Sequence, residues 1–162
     1  MRLKPNTLIV VAGPTASGKT ALAIEIAKAL DGEIVSADSM QIYEGMDIAT
    51  AKPTPEELAE VPHHLIGFLP VEKPFSVADY AAMARDAIND ILHRGKVPVL
   101  CGGTGLYIKA IVDNVQYSEE IPGDEALRER LRLLAEREGN EALWRRLEAT
   151  DPETAKRIHP NN

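Results

Sequence analysis

The apolar residues of this chain fall into two textures. In the first two-thirds they come as short unbroken runs separated by glycine- and proline-bearing stretches. Thr7-Leu8-Ile9-Val10-Val11-Ala12 is β-branched and apolar and predicts a buried strand. Ala21 to Leu30, rich in Ala, Leu, Ile, Glu and Lys, predicts a helix. Asp31-Gly32 marks a turn, and Glu33-Ile34-Val35-Ser36-Ala37 predicts a second strand. Tyr43 to Pro55 keeps no period and is broken by Gly45, Pro53 and Pro55, which predicts a loop. Glu56 to Glu60 reads as one helical turn and His64 to Leu69 as a short strand. From Ser76 the period becomes helical: Val77, Tyr80, Ala81, Ala84, Ile88, Ile91 and Leu92 share one face. Ser76 with Asp79 resembles a capping box, and Gly95 ends the run. Val97-Pro98-Val99-Leu100-Cys101 predicts another strand, and Leu106 to Val112 a helix.

From about Ser118 the second texture takes over. Glycine thins, charge thickens and the strand signal disappears. Leu127, Leu131 and Leu134 stripe the segment Asp124 to Glu138, and Leu143 and Leu147 do the same after Gly139-Asn140. Asp151-Pro152 supplies a cap and a first helical residue for a last helix. The pattern therefore predicts an α/β domain at 1–117 and a helical hairpin or bundle at 118–162.

Composition narrows this only slightly. The chain has 162 residues, 44% of them hydrophobic and 27% charged, which is a globular balance with enough apolar matter for a core. A net charge of −7 argues against a generic nucleic-acid coat, though not against a local basic face. Cys101 is the single cysteine, which rules out an internal disulfide and suits a reducing compartment. With no leader and no membrane-spanning run apparent, a soluble cytoplasmic protein is expected.

The chemistry is concentrated where the predicted strands end. Gly13-Pro14-Thr15-Ala16-Ser17-Gly18-Lys19-Thr20 fits G-x-x-x-x-G-K-[ST] and lies between a predicted strand and a predicted helix, the setting this phosphate loop requires. Its glycines let backbone N–H groups converge on phosphate oxygens at a helix N-terminus. Lys19 would bridge the terminal phosphates and Thr20 would ligate magnesium. The fold expected is thus a three-layer parallel sheet of the P-loop NTPase kind. Asp38 follows the second strand and faces the same edge, where a carboxylate holds magnesium or takes a proton from a substrate; the competing reading is a turn cap. Gly102-Gly103-Thr104-Gly105 ends a third strand there, as a ligand-approach loop or as a tight strand-to-helix turn. No further strand ends in an acidic residue, which weakens motor and switch readings. His63 and His64 are adjacent, so an extended chain sends them to opposite faces and they cannot share one metal. Cys101 reads as buried and inert. Arg128, Arg130, Arg132, Arg137, Arg145 and Arg146 lie among nearly as many acids, the pattern of a solvated, ion-paired helical face or of an RNA-contacting one.

Taken in series, these stretches resemble the bacterial tRNA dimethylallyltransferases. The resemblance is carried by residues 13–20, by Ala-Asp-Ser-Met-Gln-Ile-Tyr at 37–43, and by Met-Asp-Ile-Ala-Thr-Ala-Lys-Pro at 46–53. It continues through His-His-Leu-Ile at 63–66, Phe-Ser-Val-Ala-Asp-Tyr at 75–80 and Gly-Gly-Thr-Gly-Leu-Tyr at 102–107. His159-Pro160-Asn161 is similar to that family's His-Pro-Asn-Asp signature, with Asn162 in place of Asp. The resemblance implies transfer of a dimethylallyl group from its diphosphate to the exocyclic amine of the adenosine 3′ of the anticodon. It implies that Gly13, Pro14, Thr15, Ala16, Ser17, Gly18, Lys19 and Thr20 hold the diphosphate leaving group, with Mg2+ on Thr20 and Asp38. It makes Asp38 the general base, with Lys19 and Thr104 beside the reacting centre. It places Asp38, Ser39, Met40, Gln41, Thr104, Arg128 and Asn161 against the tRNA anticodon stem-loop, with the helices after Ser118 as the inserted RNA-gripping domain. Family chains are considerably longer, so this sequence is expected to be C-terminally truncated, to bind the donor and to modify tRNA poorly. The residues alone leave three other readings open: prenyl transfer to a free adenine nucleotide, ATP-dependent phosphotransfer to a small molecule, and an inert phosphate-binding remnant.

Overall fold

A computed structural model describes residues 4, 6–48, 50–115, 117 and 124–161. The expected change of texture at 118, Ala49 within the stretch at 46–53, and Asn162 lie outside the described residues. The chain divides into two compact units, Met1–Gln116 and Tyr117–Asn162.

The first unit is built on four parallel strands in the order β1-β4-β2-β3: β1 Ile9–Ala12, β2 Gly32–Ser36, β3 His63–His64 and β4 Val97–Gly102. β4, last in the chain, lies between β1 and β2. Its register sets Ala12 beside Gly102 and Cys101 beside Ser36, so three strand ends finish side by side. β2 is buried along its whole length, as its apolar run predicts. β1 differs from expectation. Val11 is buried but Val10 stays 39% exposed, and among the described residues β1 has a strand neighbour on one side only. β3 is also shorter than predicted. Leu65 and Gly67 take φ of 62° and 57°, left-handed backbone that cannot continue a strand, and Leu69 instead makes an isolated bridge to Tyr43.

Helices cover both faces, which gives the expected three layers. α1 (Lys19–Leu30) packs Ala23, Ile24 and Ala27 onto Val11, Ile34 and Val99. On the other face α3 (Val77–His93) sets Tyr80, Ala84, Ile88 and Ile91 against Val35 and Leu100, joined by Tyr107 of α4 (Gly105–Val112). Each fully buried aliphatic side chain of this kind contributes about 1.5–3 kcal/mol. The Ser76–Asp79 capping box is present at the head of α3. A second one, Thr54 with Glu57, starts α2 (Pro55–Glu60) and makes it a full short helix rather than a loose turn. Beneath the sheet's opposite end, buried Glu33 is gripped by Arg94, His64 and Lys96.

The second unit comprises α5 (Glu125–Glu138), α6 (Asn140–Thr150) and α7 (Pro152–Ala155); Asp124 caps α5, and Asp151 caps α7 as its sequence predicts. Trp144 Nε1 donates to Ala155 O at 3.2 Å and to Ile158 O at 2.7 Å, which ties the last turn to α6. Arg132 pairs with Glu129 and Glu136, and Arg145 with Glu141, the i,i+3 and i,i+4 pairing of a solvated helical face.

Candidate phosphate and base site

The three adjacent strand ends feed three loops into one place. The loop after β1 is residues 13–18, and it delivers Lys19 and Thr20 as the first residues of α1. Gly18 has φ 81°, which glycine adopts freely. Ala16 has φ 61° and does not, so it holds strained backbone of order 1 kcal/mol. The sequence motif alone gives no sign of that strain, since position 16 is one of its free positions. Lys19 Nζ donates to Pro14 O at 3.0 Å, so the amine already lies folded over its own loop. Gly13 N donates to Gly102 O, binding this loop to the end of β4.

After β2 the chain turns at Asp38. Asp38 Oδ1 accepts from Met40 N at 2.9 Å, so the turn-cap reading is correct for one carboxylate oxygen. The other, Oδ2, faces across the sheet edge. A Cβ built on Gly103 would sit 3.9 Å from Asp38 Oδ2, 4.0 Å from Lys19 Cε and 3.3 Å from Gly13 O. The phosphate loop, its lysine and the carboxylate thus converge on the point that Gly103 leaves open. Thr104 Oγ1 accepts from Ser39 N at 2.9 Å and donates to Ser39 Oγ at 3.2 Å, so the third loop pins the second.

The remaining expected residues divide clearly. Ser39 is half-buried and Met40 is 44% exposed beside Asp38, open to a ligand. Gln41 is buried, and its amide is spent internally: Ser36 Oγ donates to Oε1 at 3.0 Å and Nε2 donates to Ala51 O at 2.8 Å. Gln41 therefore clamps the 42–51 loop to β2 with its side chain. Arg128 is exposed on α5 and Asn161 is exposed near the chain's end, where its N–H donates to His159 Nδ1; both belong to the second unit.

His63 and His64 do point to opposite faces. His64 Nε2 meets Glu33 Oε2 at 2.8 Å on the α3 face, while His63 lines a small cavity behind the phosphate loop with Lys19 and Thr20. Cys101 is buried; burial pushes its thiol up to about 11, with Lys19 lowering it and Asp38 raising it. Tyr107, raised by burial and by the charges of Tyr43, Asp38 and Asp79, stacks on Tyr80 at a centroid distance of 3.8 Å. Tyr80 OH in turn donates to Ser36 O at 3.0 Å. This aromatic floor under the Asp38 turn reads in sequence as ordinary core periodicity, so its link to the site is visible only in three dimensions.

Among the described residues no cluster of His, Cys, Asp and Glu is large enough to enclose a metal. The donors present suit a cation of another kind. Thr20 and Asp38 carry hard oxygen donors, and magnesium is usually held by one or two protein oxygens plus substrate phosphates. Among the described residues no helix is long and apolar enough to cross a membrane.

Comparison with known proteins identifies the family. The family model described as IPP transferase matches residues 41–162. A tRNA dimethylallyltransferase of Exiguobacterium sp. is 54% identical over 160 residues, covering 99% of this chain and 51% of the relative. That of Bacillus subtilis is 50% identical over 155 residues, covering 96% and 49%. The solved full-length tRNA isopentenylpyrophosphate transferase of Bacillus halodurans matches with 45% identity and a TM-score of 0.68, over 97% of this chain and 52% of that one. A eukaryotic dimethylallyltransferase acting on tRNA matches with 29% identity and a TM-score of 0.80, over 96% and 38%. The chain spans about half the length of the curated relatives it matches.

Proposed function

Because the chain belongs to the IPP transferase family, we propose that it carries the donor-diphosphate site and the catalytic base of a tRNA dimethylallyltransferase. The observation that carries this reading is the convergence of Lys19 and Asp38 Oδ2 on the gap at Gly103. A charge-stabilising group for the leaving diphosphate and a proton acceptor for the amine are both needed near one reacting carbon, and Lys19 Cε and Asp38 Oδ2 lie 4.0 Å and 3.9 Å from this one point.

The phosphate loop holds the diphosphate of dimethylallyl diphosphate through its N–H groups. As the allylic C–O bond breaks, its electron pair passes to the diphosphate, and Lys19 with the loop N–H groups stabilises that charge. The adenosine exocyclic amine forms the new C–N bond, and Asp38 Oδ2 takes the proton it releases. Thr104 acts as a positioning residue by fixing Ser39. Met40, exposed and apolar beside the carboxylate, offers a surface to a base taken out of its stack. Magnesium, held by Thr20 and Asp38, would supply further charge stabilisation to the diphosphate. The helices at 124–155, with Arg128, and the tail with Asn161 are read as the part that grips the anticodon stem.

The test is a chimera in which residues 1–161 replace the matching half of the Bacillus subtilis relative. Mass spectrometry of an anticodon stem-loop after incubation with dimethylallyl diphosphate and magnesium should show prenylated adenosine. Asp38→Asn should lower the rate by about 10²–10⁴ while donor affinity persists. An asparagine variant within threefold of the parent would make Asp38 structural. A folded chimera that binds the stem-loop but transfers nothing would overturn the reading.

A further inference from the structure

His63 is engaged on one side and orphaned on the other. Its Nδ1 lies 2.8 Å from Val61 O. A carbonyl only accepts, so Nδ1 carries the proton, and in a neutral ring Nε2 is then a bare lone pair. Burial lowers the His63 pKa, which keeps the ring neutral. Nε2 is buried and has no hydrogen-bond partner among the described residues. An acceptor left this way costs about 1–3 kcal/mol unless something donates to it.

His63 lines a cavity formed also by Lys19, Thr20, Ser36, Gln41 and Cys101, with room of about 10 Å³, the scale of a single water molecule. The neighbouring hydroxyl and thiol are committed elsewhere, Ser36 to Gln41 Oε1 and Cys101 to Lys19 O, while the Lys19 amine spends one of its three protons on Pro14 O and Gln41 Nε2 one of its two on Ala51 O. Thr20 is the exception, for its hydroxyl has no hydrogen bond among the described residues. A hydroxyl that ligates a cation gives it a lone pair, so its proton must point away and find an acceptor. The cavity that Thr20 shares with His63 offers such an acceptor in the unpartnered Nε2.

We propose that His63 is a positioning residue for the phosphate site: its Nε2 accepts from one enclosed water, whose oxygen accepts in turn from the Thr20 O–H, and this leaves a Thr20 lone pair for the phosphate-bound cation. This rests on the reading of residues 13–20 as a diphosphate and magnesium site, and the following measurement separates the two.

Pyrophosphate binding is measured by calorimetry with and without magnesium, on the chain as it stands. His63→Leu removes the acceptor and should lose about tenfold or more of the magnesium-dependent affinity, the usual cost of deleting an outer partner of a metal ligand. Binding without magnesium, carried by Lys19 and the loop, should hold. His63→Gln, whose amide oxygen reaches the Nε2 position, should restore most of the magnesium effect. His63→Asn keeps the donor to Val61 and lacks the far acceptor, and should reproduce the leucine result if the leucine variant does not fold. Equal weakening with and without magnesium would make His63 a packing residue, and an unchanged magnesium effect in the leucine or asparagine variant would also overturn the proposal. Pyrophosphate binding that ignores Lys19→Ala would instead overturn the reading of the loop itself.

Discussion

Gly102 and Gly103 are neighbours, and substituting each by alanine should produce opposite results. A Cβ on Gly102 would fall on the carbonyl of Ala37 and 2.7 Å from its Cα. Non-bonded carbons rest at about 3.5–4.0 Å, so β2 and β4 would have to separate locally by about 1 Å. Overpacking of that order costs about 1–3 kcal/mol. The separation would also disturb Ala37 N–H to Cys101 O at 2.7 Å and Thr104 N–H to Ala37 O at 3.0 Å, each with a net contribution of about 0.5–1.5 kcal/mol. Gly102→Ala should therefore lose about 3 kcal/mol and lower Tm by roughly 10 °C. Gly103→Ala meets a tight 3.3 Å contact with Gly13 O and otherwise ordinary distances, so its stability should change by less than about 1 kcal/mol. Its methyl would instead stand between Lys19 and Asp38, and pyrophosphate affinity should drop by roughly tenfold, about 1.4 kcal/mol. The assay is urea denaturation followed by near-ultraviolet circular dichroism of the Tyr80–Tyr107 stack, with calorimetry for pyrophosphate. If Gly102→Ala costs under 1 kcal/mol, or Gly103→Ala unfolds as readily, the strand ends are not as close as described and the convergence of the site fails with them.

Lys19→Ala should weaken pyrophosphate binding by about 1.5–3 kcal/mol, the value of a hydrogen bond to a charged group, and calorimetry showing unchanged affinity would exclude the loop as the donor site. Arg94, with His64 and Lys96, holds Glu33 near 2 rather than 4.5, so its contribution to stability is complete above pH 4.5 and disappears as the pH falls toward 2. Urea titrations in steps across that window should show a steeper acid loss for the parent than for Glu33→Gln; parallel curves would mean that Glu33 is not the titrating group. Tyr80→Phe removes the bond to Ser36 O and should cost about 1–2 kcal/mol with pyrophosphate affinity preserved, whereas a loss of affinity at unchanged stability would show that the hydroxyl serves the ligand directly.

How legible this was in the sequence depends on the range of the interaction. Strand β2, helix α3 with its Ser76–Asp79 cap, and the phosphate loop are specified by residues within a few positions of one another, and the chain alone reveals them. The two-residue length of β3 depends on left-handed backbone at Leu65 and Gly67, and leucine gives no warning of a positive φ. Gln41 stands in a motif beside Asp38 and reads as a ligand contact, yet Ser36 and Ala51 take up its amide. One of those partners lies ten positions away and no pattern links it to Gln41. The acceptor on His63 is further from view, since adjacency predicts that the two histidines diverge but not that one of them lines a cavity with Thr20.

The sheet order has a consequence for how the chain is made. β1 and β2 each need β4 as a neighbour, and β4 ends at Gly102, some ninety residues after β1. At about 5–20 residues per second a ribosome takes roughly 5–20 s to cover that interval. For most of it, once residue 36 is made, Ile9–Ala12 and Gly32–Ser36 are finished apolar strands with no partner between them, and the phosphate loop has a helix behind it but no Gly102 to fasten to. Nascent chains halted before residue 97 should therefore bind chaperones and fail to retain pyrophosphate, and chains carried past residue 112 with β4 clear of the exit tunnel should do the reverse. The phosphate loop is encoded early and gains its anchor at Gly102 late, at the moment the central strand slides into the place left for it.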